Sequence, residues 1–328
     1  MKRNLLLAVC LFLTLISSGC TQAVPDTPKN TPPATQSPKF SQASKNTIAL
    51  VMKTLANPFF IEMEKGARQA EKEFGVNLIV KAGAQETSVD EQIAIVEDLI
   101  KEKVQAILIT PADSVKLVPV LKKAQEAGIV IINLDNQLDN QVMKEAGLAN
   151  VPFISVDNEK SAYLSAKFVS LKVKSTAQAL ILEGIPTAKN AQDRKAGAVR
   201  AFGENPNIQI VSSETAHWKT DEAYQVTGQV FKKYPDIKLI FCANDMMALG
   251  AMRYLKENNL SEVYVAAYDA LDEVMPMLKD GSLQVTVDQQ AADQAYTGVQ
   301  FAVRAIHGEK LPPVTFLDAL LITRESAR

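Results

Sequence analysis

Cysteine and histidine are almost missing from this 328-residue chain, which has three of the first and two of the second. Cys10 lies inside an N-terminal apolar run and Cys20 closes it, so Cys242 stands alone in the rest of the sequence. That excludes an intrachain disulfide and a zinc site built on a cysteine pair. Cys242 sits within the apolar run Leu239 to Ala243 and is expected to be a small buried core residue. His307, just before Gly308, reads as a surface residue favoured by the end of a helix dipole. His217 reads as a residue of a cleft or its rim, and neither histidine is expected to be a catalytic base. The phosphate-cradling patterns G-x-G-x-x-G and G-x-x-x-x-G-K-[ST] are missing, as are H-E-x-x-H and G-x-S-x-G, so nucleotide and hydrolase chemistry lack their loops. The formal net charge is −2 and no stretch clusters Lys and Arg, which excludes a nucleic-acid partner.

What is present begins with an export signature. Lys2 and Arg3 precede the mostly apolar Leu5 to Ile16, and Ser17-Ser18-Gly19-Cys20 follow, so residues 1–20 read as a signal peptide. The apolar run is shorter than the roughly 20 residues that span a bilayer. Ser17-Ser18-Gly19-Cys20 resembles a bacterial lipobox, which implies lipidation at Cys20 and attachment to the membrane through lipid alone. Secretion with a free Cys20 is the second reading and a retained anchor the third. Residues 21–45 are rich in Pro, Thr, Ser and Gln and cannot bury enough apolar surface to fold, so they are expected to tether the domain.

About 284 residues remain, enough for two lobes at the usual ~100 to 200 residues per domain. Short β-rich runs then alternate with amphipathic stretches, the pattern of a parallel sheet covered by helices on both faces. One series of strands is expected at 47–52, 76–80, 106–109 and 129–134, and a second at 179–182, 208–211, 239–242 and 263–267. Helices are expected at 58–74, 88–103, 114–127, 159–171, 191–202, 221–233, 246–258 and 291–307. Ser88 with Glu91 reads as a capping box, and Asn57 before Pro58 as an N-cap.

Ligands of open α/β sheets sit outside the carboxyl ends of the strands. Those positions carry Lys53, Asn57, Phe59 and Phe60 after the first strand and Asp135 with Asn136 after the fourth. In the second series they carry Arg194, Trp218, Asn244 and Asp269. Carboxylates accept from hydroxyls, Lys, Arg and Asn donate, and aromatic planes cover C–H faces, so the set suits a polyhydroxylated ring. The rival to a ligand role is a helix cap for Asn57 and a core position for Trp218, and the ligand role is preferred for both. Phe59 and Phe60 are adjacent, so one is expected to turn away from the core side of its helix. Asp245 is read as the cap of a helix starting at Met246, and Asp157 and Asn158 as a crossover outside the site.

The run Val51-Met52-Lys53-Thr54-Leu55-Ala56-Asn57-Pro58-Phe59-Phe60 carries a resemblance. With it go Ile132-Asn133-Leu134-Asp135, Glu183-Gly184 leading to Arg194, Cys242-Ala243-Asn244-Asp245-Met246-Met247-Ala248-Leu249-Gly250, and Gln289. Together they resemble the ribose-type and especially the allose-type periplasmic sugar-binding proteins, in order over nearly all of 46–328. The resemblance implies an α/β fold of two Rossmann-like lobes, the type I periplasmic binding protein arrangement, joined by three crossovers. Lobe one is expected over 46–155 plus 290–315, and lobe two over 156–289 plus 316–328. Carried over by position, Asn57, Asp135, Arg194, Asn244, Asp269 and Gln289 hydrogen-bond a sugar and Phe59, Phe60 and Trp218 sandwich it. Lys53 stands where allose-type members add a donor, which favours a hexose or ketohexose over a pentose such as ribose. Asn136 stands in place of an arginine of ribose-type members. The implied action is hinge closure on a monosaccharide and delivery to the permease of an ABC importer, by a monomer, without cofactor, metal or catalytic residue. Presentation of the closed form to a chemoreceptor or sensor kinase is the alternative, and a sugar-modifying enzyme is the reading from another class. A sugar-responsive repressor would need a helix-turn-helix in place of the export signature.

Overall fold

Alternate residues of β1 (Thr47–Met52) go to opposite faces of one sheet, as a two-residue period requires. Ile48, Leu50 and Met52 enter a buried cluster with Phe60, Met63 and Val299, whereas Ala49 and Val51 enter another with Val96, Leu99 and Leu121. The same sorting separates Leu108 from Ile107 in β3 (Ala106–Ile109) and Ile132 from Ile131 in β4 (Val130–Leu134). Both faces of these strands are covered, which is why they read as continuous apolar runs.

The computed structural model describes residues 45–327. The signal segment 1–20, Cys20 and the tether, save Lys45, lie outside the described residues. Two six-stranded sheets organise the described chain. The first adds β2 (Asn77–Ala82), β5 (Phe153–Val156) and β11 (Val314–Leu317), in the order β11-β5-β4-β3-β1-β2, all parallel. The second holds β6 (Ala177–Glu183), β7 (Ile208–Thr215), β8 (Ile237–Cys242), β9 (Tyr264–Ala266), β10 (Val285–Asp288) and β12 (Leu320–Thr323). Its order is β12-β10-β9-β8-β6-β7, with only β12 antiparallel.

Helices cover both faces. The first sheet carries α1 (Pro58–Phe74), α2 (Val89–Glu102), α3 (Val118–Glu126) and α4 (Asn140–Ala146). The second carries α5 (Asn158–Ser170), α6 (Lys189–Gly203), α7 (Thr220–Lys233), α8 (Asp245–Glu257) and α9 (Met275–Asp280). Although α10 (Ala291–Ile306) follows a strand of the second sheet, its Ala295 and Val299 bury in the first lobe's cluster beside Phe60. The chain therefore passes between sheets three times: at 156–158, at 288–291 and between β11 and β12.

Several elements differ from the sequence reading for local reasons. Ser88 does not cap α2 through its side chain: its Oγ accepts from Gln85 N, while Glu91 accepts from Ala84 N. The helix expected from Ser114 begins at Val118, because Asp113 Oδ1 takes the amides of Val115 and Lys116 and holds a turn there. Asn244 caps α8 by accepting from Met247 N, so Asp245 is the helix's first residue and not its cap.

Candidate functional site

The chain ends each lobe's central strands with polar residues, and the two sets face each other. Where the lobes meet, Ser114 Oγ accepts from Lys189 N at 3.2 Å, and Asn190 Nδ2 donates to Asp135 Oδ1 at 3.2 Å. Between the lobes lies a cavity. Lys53, Asn57, Phe59, Phe60 and Asp135 line it from the first lobe, and Arg194, Trp218, Asn244, Asp269 and Gln289 from the second. Glu86 and Asn190 complete the lining.

On the first lobe, Lys53 follows β1 and is only 2 % exposed. Its Nζ lies 3.4 Å from Asp135 Oδ2 and 3.9 Å from Glu86 Oε2. Asn57 has both roles the sequence left open: Oδ1 accepts from Phe59 N as the cap of α1, and Nδ2 donates to Glu86 Oε1 at 2.8 Å. Phe59 and Phe60 are both buried and meet edge to face at 5.1 Å, which corrects the expectation that one turns away. The first turn of α1 is enclosed on both sides, by the first lobe's core and by the cavity, so neighbouring side chains bury together.

On the second lobe, Arg194 is gripped on every side. Nε donates to Asn158 Oδ1 at 2.8 Å, one terminal nitrogen to Ala243 O at 2.9 Å and the other to Gln289 Oε1 at 3.1 Å. Its guanidinium lies 3.8 Å from the ring centre of Tyr268 and 3.5 Å from Asp269 Oδ1. Gln289 Nε2 donates to the same Asp269 oxygen at 2.7 Å. Trp218 presents its ring to both cations, with Lys53 Nζ at 6.0 Å and the Arg194 guanidinium at 5.5 Å from a ring centre. That spacing gives each cation a favourable interaction with the indole face. Asn244 donates to Trp218 O at 3.5 Å.

Asn136 is placed differently. Fully buried, it donates to Pro111 O at 2.8 Å and accepts from Asn190 N at 3.2 Å, so it ties the lobes together behind the cavity and does not line it. Glu86 was missed because its loop after β2 reads as an ordinary polar turn. The signal available was its position, at the carboxyl end of a strand. Asn158, set outside the site on sequence grounds, orients Arg194.

Two buried polar atoms in the lining have no partner within the protein: the indole Nε1 of Trp218, a donor, and Oδ1 of Asn190, an acceptor. Burial without a partner is costly, so such atoms mark positions where a polar group from elsewhere is accommodated.

Burial sets the electrostatics. It pushes the carboxyl groups of Glu86 and Asp269 above the usual carboxylate range, against the opposing pull of Lys53 and Arg194 respectively. Asp245, enclosed beside the site, is pushed up to about 7, and the Tyr268 hydroxyl up to about 12. For an acid raised in the folded state, the native protein binds more protons than the unfolded one between the two pKa values. Its stability contribution is then present below about pH 4 and lost as pH rises through 7. Unfolding followed at fixed salt between pH 5 and 8 is therefore expected to show stability falling as pH rises, and Asp245→Asn is expected to flatten the slope. A flat or rising wild-type curve in that window would contradict the burial of these acids.

The comparisons agree with this geometry. Residues 48–310 match the periplasmic binding protein domain. A D-ribose/D-allose-binding protein of Pseudomonas aeruginosa is 40 % identical over 268 residues, spanning 81 % of this chain and 83 % of its own. The D-allose-binding periplasmic protein of Escherichia coli is 32 % identical over 284 residues, spanning 84 % and 91 %. Among solved structures, an ABC transporter periplasmic solute binding protein from Actinobacillus succinogenes with bound D-allose has a TM-score of 0.82 at 38 % identity. That match covers 86 % of this chain and 99 % of the other. With two parallel-sheet lobes, three crossovers and the family match over most of its length, the chain belongs to the periplasmic binding protein family.

Proposed function

We propose that this protein captures a monosaccharide outside the cytoplasm and delivers it to an ABC importer by closing its two lobes. The ligand class is a hexose or ketohexose, with allose-like sugars first and a pentose such as ribose next. The observation that carries the reading is the cavity between the lobes, which three aromatic rings and two paired cations line together. The carboxylates of the lining can accept from sugar hydroxyls, and the free Trp218 N–H and Asn190 Oδ1 add one donor and one acceptor. Both cations already face carboxylates, so the cavity holds no spare positive charge for an anionic ligand. Contacts from both lobes favour the closed state over the open one, and that difference in affinity drives closure. We assign the acylated Cys20 and the tether the task of holding a monomeric binding domain at the membrane, within reach of the permease.

Ligand that binds only the native state stabilises it by about 2.7 kcal/mol at a hundredfold excess over Kd. A melting-temperature screen over D-allose, D-ribose, ketohexoses and polyols is therefore expected to give a rise of several degrees for at least one neutral sugar. Sugar phosphates and uronates are expected to give none. No rise with any monosaccharide would refute the reading.

A further inference from the structure

Two consecutive residues between β9 and β10 adopt a conformation that side chains resist, and a carboxylate outside the cavity helps to hold the segment they begin. Asp269 has φ of 127° and Ala270 has φ of 57°, both in the region L residues rarely occupy. Such backbone persists only where the surroundings over-determine it. Here the amides of both residues and of Leu271, which follows them, are fixed. Asp269 N donates to Val287 O at 2.8 Å, Ala270 N to Thr286 Oγ1 at 3.1 Å, and Leu271 N to Asp245 Oδ2 at 2.8 Å. Thr286 Oγ1 in turn donates to Asp245 Oδ1 at 2.8 Å. Asp245 and Thr286 are both fully buried, and neither lines the cavity.

The ends of this tripeptide do different things. At one end the Asp269 carboxylate lines the cavity and pairs with Arg194. At the other, Leu271 leaves its own lobe and joins the buried cluster of the first lobe that contains Phe59 and Phe60. Met246, next to Asp245 in α8, packs against the same cluster.

We propose that Asp245 is a positioning residue that aims Asp269 at the ligand and docks Leu271 into the opposite lobe through one clip, so that ligand capture and lobe closure share a single backbone segment. The inference rests on the sugar-binding reading for its ligand arm only. Two donors, an amide and a hydroxyl, converge on the two carboxylate oxygens, and an asparagine could keep both contacts by reversing the second, its Nδ2 donating to the Thr286 hydroxyl. Asp245→Ala therefore loses both bonds, and Thr286→Val loses the bridge to Ala270 while keeping the side-chain shape.

The test uses both variants of the full chain, so that a failure of one to fold leaves the other informative. Amide hydrogen exchange without sugar is expected to speed up at Ala270 and Leu271 while β8 and β10 keep their protection. Calorimetry with D-allose and D-ribose is expected to show affinity for the bound sugar falling by about tenfold to a hundredfold, as for a lost hydrogen bond to a charged group. Unchanged exchange at those two amides overturns the clip, whatever the affinity does. Faster exchange throughout the second lobe also overturns it, since a merely structural residue would produce that. Faster local exchange with undiminished affinity overturns the coupling to ligand. If the wild type binds neither sugar, the sugar reading for these two fails, and the exchange measurement still decides the clip.

Discussion

Arg194→Ala is expected to remove sugar binding at any concentration a calorimeter can reach and to lower the melting temperature of the unliganded protein as well. The side chain is 2 % exposed and serves four partners at once. Truncation leaves the Asn158, Ala243 and Gln289 oxygens without their donor and Asp269 without its counter-charge. Breaking a buried ion pair from one side costs about 3–5 kcal/mol. At about 1.4 kcal/mol per tenfold, the part of that loss felt by the ligand complex corresponds to two or more orders of magnitude in Kd. Arg194→Lys is expected to fare little better, because an ammonium is a point charge and cannot reproduce a fork aimed at three oxygens. A Kd within tenfold of wild type for Arg194→Ala would mean that the sugar binds in some other cavity.

The severity of that expectation reflects how the site is built, and it bears on what the sequence could reveal. Alternation of strands and helices was legible because strands covered on both faces are apolar throughout, as in Ile48 to Met52 and Ala106 to Ile109. Four other short strands were not. β5, β10, β11 and β12 have four residues each and include Ser, Thr or Asp, so neither periodicity nor an unbroken apolar run separates them from loops, yet they form one side of each sheet and the three passages between the sheets. Ten of the eleven residues expected around a ligand line the cavity because strand ends converge there by topology. The exception, Asn136, shows the limit of position alone. It follows the same strand as Asp135, but Asp135 has φ of 58° and the chain turns there, sending the next side chain behind the cavity toward Pro111. Roles that depend on two distant residues were hidden altogether. Asn158 starts a helix and also orients Arg194, 36 residues later, and only the packed fold brings the two together.

Gly184→Ala makes the same point with one methyl group. Gly184 follows β6, and a Cβ built there falls 2.0 to 2.3 Å from three ring atoms of Trp218, distances no pair of carbons tolerates. Neither side yields easily. The Gly184 carbonyl accepts from Thr215 Oγ1 at 2.7 Å, and Ala216 N donates to Glu183 O at 3.0 Å, which ties the two strand ends together. The indole is rigid, and its backbone sits with His217 at φ of 47° and Trp218 at 66°, so it has little freedom to rotate away. Insertion of the methyl is expected to cost about 1–3 kcal/mol of stability, as overpacking does, and to push the indole off the axis between Lys53 and Arg194. Affinity is then expected to fall by about tenfold to a hundredfold, which is the loss of an aromatic contact together with a misshapen cavity. Because Trp218 is the only tryptophan in the chain, its emission reports the displacement directly. Wild-type fluorescence is expected to change on adding the bound sugar, and Gly184→Ala to emit further to the red without ligand, as the ring meets more water. An unshifted spectrum with undiminished affinity would show that the indole does not wall the cavity, and the aromatic half of the recognition argument would fall with it.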